Sequence, residues 1–164
     1  MKQLILIRHA KSSWDDLAAR DFDRDLSGRG LRDAPEMGRR LAERGLVPDA
    51  LVISASRRTR ATAALLVEPL GLPDEAIEAR NELYLASPDT MLKLIRHTPD
   101  HIGRLAMLAH NPGITELANR LSESRIDNIP TCGVAIFELP VDSWRDAGRG
   151  GRLLDFDYPK RQQR

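Results

Sequence analysis

Four short, unbroken apolar runs decide most of what this chain can become. They are Gln3–Ile7, Ala50–Ser54, Leu105–Ala109 and Val134–Leu139. A strand with one wet face alternates apolar and polar residues. A strand that is apolar throughout is covered on both sides, which calls for a sheet enclosed between helices. All four runs are too short for helices. None approaches the ~18 to 20 apolar residues of a membrane span. A weaker run, Leu153–Tyr158, is expected at a sheet edge, and residues 76–79 as a short strand.

Between these runs the pattern changes to a helical period. Ser27 caps a helix running to about Arg44, with Leu31, Ala34, Gly38, Leu41 and Ala42 on one face and Gly45 as its stop; Pro35 is expected to kink it or delay its start. A second helix runs from Arg57 to about Val67 and is expected to stop before Pro69. Ser87 caps a third, with Pro88 at its first position. Asn111 is expected to cap a fourth, with Ile114, Leu117, Ala118 and Leu121 along one stripe. Strands alternating with helices imply an α/β fold: one three-layer α/β/α domain over residues 1–160, with a mostly parallel central sheet. Residues 161–164 read as a short basic tail that frays.

In such sheets ligands bind beyond the carboxyl ends of the strands. The first run ends in Arg8-His9-Ala10-Lys11, the second leads to Arg57, Arg58 and Arg60, and the third ends in His110-Asn111-Pro112-Gly113. If these strands are neighbours, two histidines and several arginines share one edge. Arginines in the first turn of a helix oppose its dipole, so they imply a bound anion there. Guanidinium forks suit phosphate oxygens, and histidine is then the reactive group.

Other classes fit less well. Lys plus Arg number 25 and Asp plus Glu 24, leaving no global charge to attract nucleic acid. The single cysteine, Cys132, forbids an internal disulfide and leans toward a reducing, cytoplasmic setting. It reads as a buried strand residue, and Glu138 stands where a cysteine phosphatase loop would need an arginine. His97 and His101 are separated by Pro99, and the pairs Asp21/Asp23 and Asp155/Asp157 read as surface or cap residues, so neither metal nor cofactor is expected. Neither GxGxxG nor GxxxxGK[ST] occurs.

The tripeptide RHA, the S-x-x-x-R-x-x-x-T-A pattern of Ser54, Arg58, Thr62 and Ala63, and the later AHNPG together resemble the histidine phosphatase superfamily, whose fold is phosphoglycerate-mutase-like. Within it, RHAKSSW, DFDRDLSGRG, NELYLASP and HNPGITELA look like the SixA-type phosphohistidine phosphatase branch. The resemblance implies a nucleophilic His9, with Arg8, Arg58 and a protonated His110 holding phosphate. It implies Glu82 as proton donor and Ser12 and Asn111 as further binding residues, and it leaves Asp15 pointing away from the phosphate or tuning the substrate. The expected function is a metal-independent phosphatase working through phosphohistidine. Its substrate is a phosphorylated protein, such as a histidine phosphotransfer domain, and the chain is a monomer. The alternatives are a small-phosphoester phosphatase of the same fold or a phosphate-binding module without catalysis.

Overall fold

The structure is a computed structural model and describes residues 1–161. Its centre is a six-stranded sheet, and in chain order its strands are β1 (Lys2–Arg8), β2 (Ala50–Ser54), β3 (Ile77–Arg80), β4 (Arg104–Ala109), β5 (Val134–Leu139) and β6 (Arg152–Asp157). Across the sheet the order is β3-β2-β4-β1-β5-β6. The first three pairings in that order are parallel and the last two antiparallel. The sheet is thus parallel over its functional half and mixed as a whole.

The apolar runs have the environment that their composition demands. Leu4 and Leu6 of β1 enter one core with Met107 and Phe137, while Ile5 and Ile7 enter the opposite core with Leu108 and Ile136. Each of these side chains is at most 1% exposed. Burying an aliphatic side chain stabilises by about 1.5–3 kcal/mol, so strands covered on both faces tie the two layers together.

α1 (Gly28–Glu43) and α2 (Arg57–Leu70) cover one face; α3 (Pro88–Arg96) and α4 (Gly113–Leu121) cover the other. The Ser27 and Ser87 hydroxyls cap α1 and α3 by accepting the N–H groups of Gly30 and Thr90. Pro35 does not delay the start of α1, and Pro69 does not stop α2. α1 runs through Pro35, and α2 runs through Pro69 to Gly71, which closes it in the left-handed conformation. Pro69 stands in the last turn and packs on α1 where Gly38 has no Cβ to obstruct it. The gain from that helix contact offsets one lost hydrogen bond.

The expected cap of α4 also differs. Asn111 accepts the Thr115 hydroxyl and donates to Asn128 and to the Ile129 carbonyl, so its amide fastens loops instead of capping. Cys132 is buried as expected but lies in the turn before β5, at φ +59°. Its N–H donates to the His9 carbonyl at 3.0 Å. Arg161, expected to fray, is held by the Asp155 carboxylate at 2.7 Å; the rest of the expected tail, residues 162–164, lies outside the described residues. Among the described residues no helix is long and apolar enough to cross a membrane.

Candidate active site

β2, β4 and β1 are adjacent and parallel, and their last residues lie level: Ile7 and Ile53 both pair with Leu108. The three strand ends therefore open on one spot. There His9 and His110 stand with ring centroids 5.2 Å apart, 6% and 1% exposed. A pocket of about 300 Å³ opens over them, lined on its basic side by Arg8, Lys11, Arg24 and Arg58.

The S-x-x-x-R-x-x-x-T pattern spaces three functions along the end of β2 and the first turns of α2. Ser54 Oγ lies 2.7 Å from His110 Nε2. Arg58, one turn on, extends into the pocket and is 2% exposed. Thr62, one turn further, accepts the Ala10 N–H at 3.0 Å and donates to the Arg58 carbonyl at 2.7 Å, tying the loop after His9 to the helix that carries Arg58. Arg57 and Arg60 lie on the exposed side of the helix, where Arg57 pairs with Asp25.

The ring nitrogens have assignable roles. His9 Nδ1 lies 2.8 Å from the Ala10 carbonyl, which can only accept, so Nδ1 carries the proton and Nε2 presents its lone pair. Burial is the largest cause depressing the His9 pKa. The hydrogen bond to Ala10 opposes it, the charges of Arg58, Arg8 and Arg24 reinforce it, and the ring titrates at about 4. His110 Nδ1 lies 3.4 Å from Arg58 Nη2, which can only donate, so Nδ1 accepts and Nε2–H points to Ser54. Burial, then His9 and Arg58, hold His110 at about 3. In the free site the His110 imidazole is therefore neutral.

Three guanidinium nitrogens are buried without a partner among the described residues: Arg8 Nε, Arg24 Nη1 and Arg58 Nε. All three arginines line the pocket. Their positive charge on one wall suits an anion, and guanidinium forks suit phosphate oxygens. Arg24 was missed by the sequence reading. It is 9% exposed, and its guanidinium stacks 3.5 Å from the Trp14 ring. The available signal was its place in DFDRDLS, within a segment already singled out.

Ser12 is buried and lines the pocket, bridged to Leu26; Asn111 lines it too, with its amide nitrogen committed elsewhere. Asp15 is exposed and does not line the pocket. Glu82 requires a correction. It stands in a 3-10 turn, its carboxylate is gripped by Arg80 at 2.6 Å, and it lines a separate groove beside β2 and α3. The carboxylate that does line the pocket is Asp21, expected to be a surface or cap residue. Burial pushes its pKa up, but hydrogen bonds from Tyr84 and Arg58 and the charges of Arg58 and Arg24 prevail and hold it below the usual range. Among the described residues, no group of three or more His, Cys, Asp or Glu side chains is arranged to hold a metal.

Comparisons with known proteins bear on the family and the fold. The model of the histidine phosphatase superfamily (branch 1) matches residues 4–104. An uncharacterised chloroplastic protein of Arabidopsis thaliana is 32% identical over 170 residues, covering 94% of this chain and 76% of its own. A crystal structure from Agrobacterium tumefaciens, provisionally named phosphohistidine phosphatase SixA, superposes with a TM-score of 0.82 at 26% identity, covering 96% of this chain and 98% of that one. The protein histidine phosphatase SixA complexed with tungstate superposes with the same score at 19% identity, over 96% and 97% of the two chains, a likeness of fold.

Proposed function

The chain belongs to the histidine phosphatase superfamily, on its SixA-type branch, and from that membership we propose that it is a phosphatase that passes phosphate through His9, with protein-borne phosphohistidine as its substrate. The observation that carries the reading is the free Nε2 of His9, its tautomer set by Ala10, in a pocket lined by Arg8, Arg24 and Arg58.

In this scheme Arg8, Arg24 and Arg58 take the phosphoryl oxygens, supplying positioning and charge where negative charge is concentrated. The His9 Nε2 lone pair attacks phosphorus, and the bond to the leaving nitrogen breaks with its electron pair returning to that nitrogen. Water then attacks phospho-His9, releasing phosphate and restoring the neutral ring. Ala10 keeps the Nδ1 proton in place throughout. The bound dianion offsets the arginine charge that, with burial, keeps His110 neutral in the free site, so His110 gains a proton more readily once phosphate is present. Ser12 and Asn111 shape the wall through the loops that they fasten. Similarity to SixA-type proteins supports phosphohistidine as the substrate, and so does the pocket, which leaves Glu82 outside and so offers no protonated carboxylic acid for an ester's leaving oxygen.

A small-phosphoester phosphatase is the second reading, favoured by matches to phosphoglycerate mutases over about half the chain, such as that of Methylobacterium, 42% identical over 84 residues. The test is phosphate release from a phosphohistidine protein and from a small phosphoester, with EDTA present, by wild type and His9→Ala. Activity lost in the variant supports histidine chemistry, and the better substrate chooses between the readings. Full activity in His9→Ala overturns both; phosphate binding without release from either substrate identifies a binding module.

A further inference from the structure

An anion pocket has no evident use for a carboxylate, yet Asp21 lines this one and is held there from several sides. Its backbone carbonyl accepts from Arg58 Nη1 at 2.7 Å and its Oδ2 from Arg58 Nη2 at 3.1 Å. The Tyr84 hydroxyl also donates to Oδ2, and Arg24 Nε donates to Oδ1 at 3.2 Å. Tyr84 in turn stands edge-on to His110, with centroids 5.5 Å apart. Even so, the Asp21 side chain keeps 43% of its surface open, and Oδ1 has a single partner among the described residues.

The charged and titratable groups facing it are Arg58 on α2, Arg24 beyond its own 3-10 turn, Tyr84 before α3 and His110 after β4. Tyr84, Arg58 and Arg24 favour the ionised carboxylate, which is therefore a poor proton donor and a ready acceptor. An ester's leaving oxygen needs a proton given to it; a phosphorylated imidazole already carries the useful proton on its distal nitrogen. We propose that Asp21 selects the leaving group: Oδ1 accepts a hydrogen bond from the distal N–H of an N-phosphorylated imidazole and thereby favours phosphohistidine over phosphoesters. The inference rests on the phosphohistidine reading above.

The step balances without a further acid. With the distal nitrogen protonated, the substrate ring is cationic. His9 Nε2 forms its bond to phosphorus as the substrate P–N bond breaks, and the returning pair leaves a neutral imidazole whose N–H still points at Asp21. The carboxylate raises the population of the protonated, reactive ring near neutral pH.

The experiment compares wild type, Asp21→Asn and Asp21→Glu on a phosphohistidine peptide and on 4-nitrophenyl phosphate, whose leaving group has no N–H, between about pH 5 and 9. Both activities fall in Asp21→Asn because Arg58 loses its charged anchor. The phosphohistidine value of kcat/KM falls about tenfold further, the scale of one charge-assisted hydrogen bond. The basic limb of its pH profile moves to lower pH, and Asp21→Glu restores part of both. Equal losses on the two substrates with an unmoved limb overturn the proposal and leave Asp21 as a brace for the arginines. If Asp21→Asn fails to fold, Asp21→Ser repeats the comparison with the same two outcomes. A wild type that cleaves the ester but not phosphohistidine overturns the substrate reading itself, before any variant is compared.

Discussion

At the scale of single residues, the pocket's chemistry depends on keeping His9 unprotonated. Burial, aided by the neighbouring arginines, holds its pKa at about 4. The nucleophile is therefore present from neutral pH down well past the ordinary histidine value of about 6.5. A histidine-selective NMR titration should place the His9 midpoint near 4, and a midpoint near 6.5 would remove the electrostatic basis for the scheme. Arg24→Gln should lower kcat/KM by about ten- to a hundredfold through one lost charge-assisted contact. Arg57→Gln, on the exposed side of α2, should stay near wild type; the reverse order would move the phosphate to the outer face of the helix. Arg8, His9, Arg58 and His110 were legible because each follows directly from a strand end or a first helical turn, whose direction the sheet dictates. Arg24 and Asp21 were not, because the chain between His9 and Ser27 has no period from which a facing direction can be read. Glu82 was misplaced for a related reason: the 3-10 turn after β3 lays its carboxylate beside Arg80.

At the scale of elements, α1 is fastened to the loop that follows the nucleophile. Lys11 O accepts both the N–H and the hydroxyl of Ser27. A Cβ on Gly30 would stand 2.3 Å from that same oxygen, whereas one on Gly28 would meet only the Arg32 guanidinium at 3.6 Å. Helix propensity alone favours alanine over glycine by up to about 1 kcal/mol at either position. Gly28→Ala should therefore be neutral or stabilising in thermal denaturation. Gly30→Ala should cost about 1–3 kcal/mol, because backbone must move, and should lower turnover because that backbone lies two residues from His9. Equal stability for the two variants would mean that the helix–loop contact is looser than described. The strands and most helix starts were readable, since apolar runs, Ser27 and Ser87 declare themselves locally. The end of α2 was not, because its passage through Pro69 is decided by packing against Gly38, a contact between helices that no single segment encodes.

At the scale of the whole molecule, the site places two neutral histidines inside the fold, and stability must reflect it. His9 and His110 are buried and titrate at about 4 and about 3, while in the unfolded chain each titrates near 6.5. Above about pH 6.5 neither state takes up these protons, and the histidines leave stability unchanged. As pH falls below that value the unfolded chain binds protons that the folded chain refuses, so stability drops by up to about 1.4 kcal/mol per pH unit for each histidine until the folded values are reached. Asp21 and Asp155, held below the usual carboxylate range, behave in the same direction but only below about pH 4, where their unfolded forms begin to protonate. Between about pH 6.5 and 4.5 the histidine pair should therefore dominate, with a loss of about 1–3 kcal/mol from each in urea unfolding. His9→Asn together with His110→Asn should flatten the profile over that interval while leaving the steeper loss below pH 4. A double variant with the wild-type slope would show that the two rings take up protons freely in the folded state, and the free pocket would then be dicationic at its histidines instead of neutral.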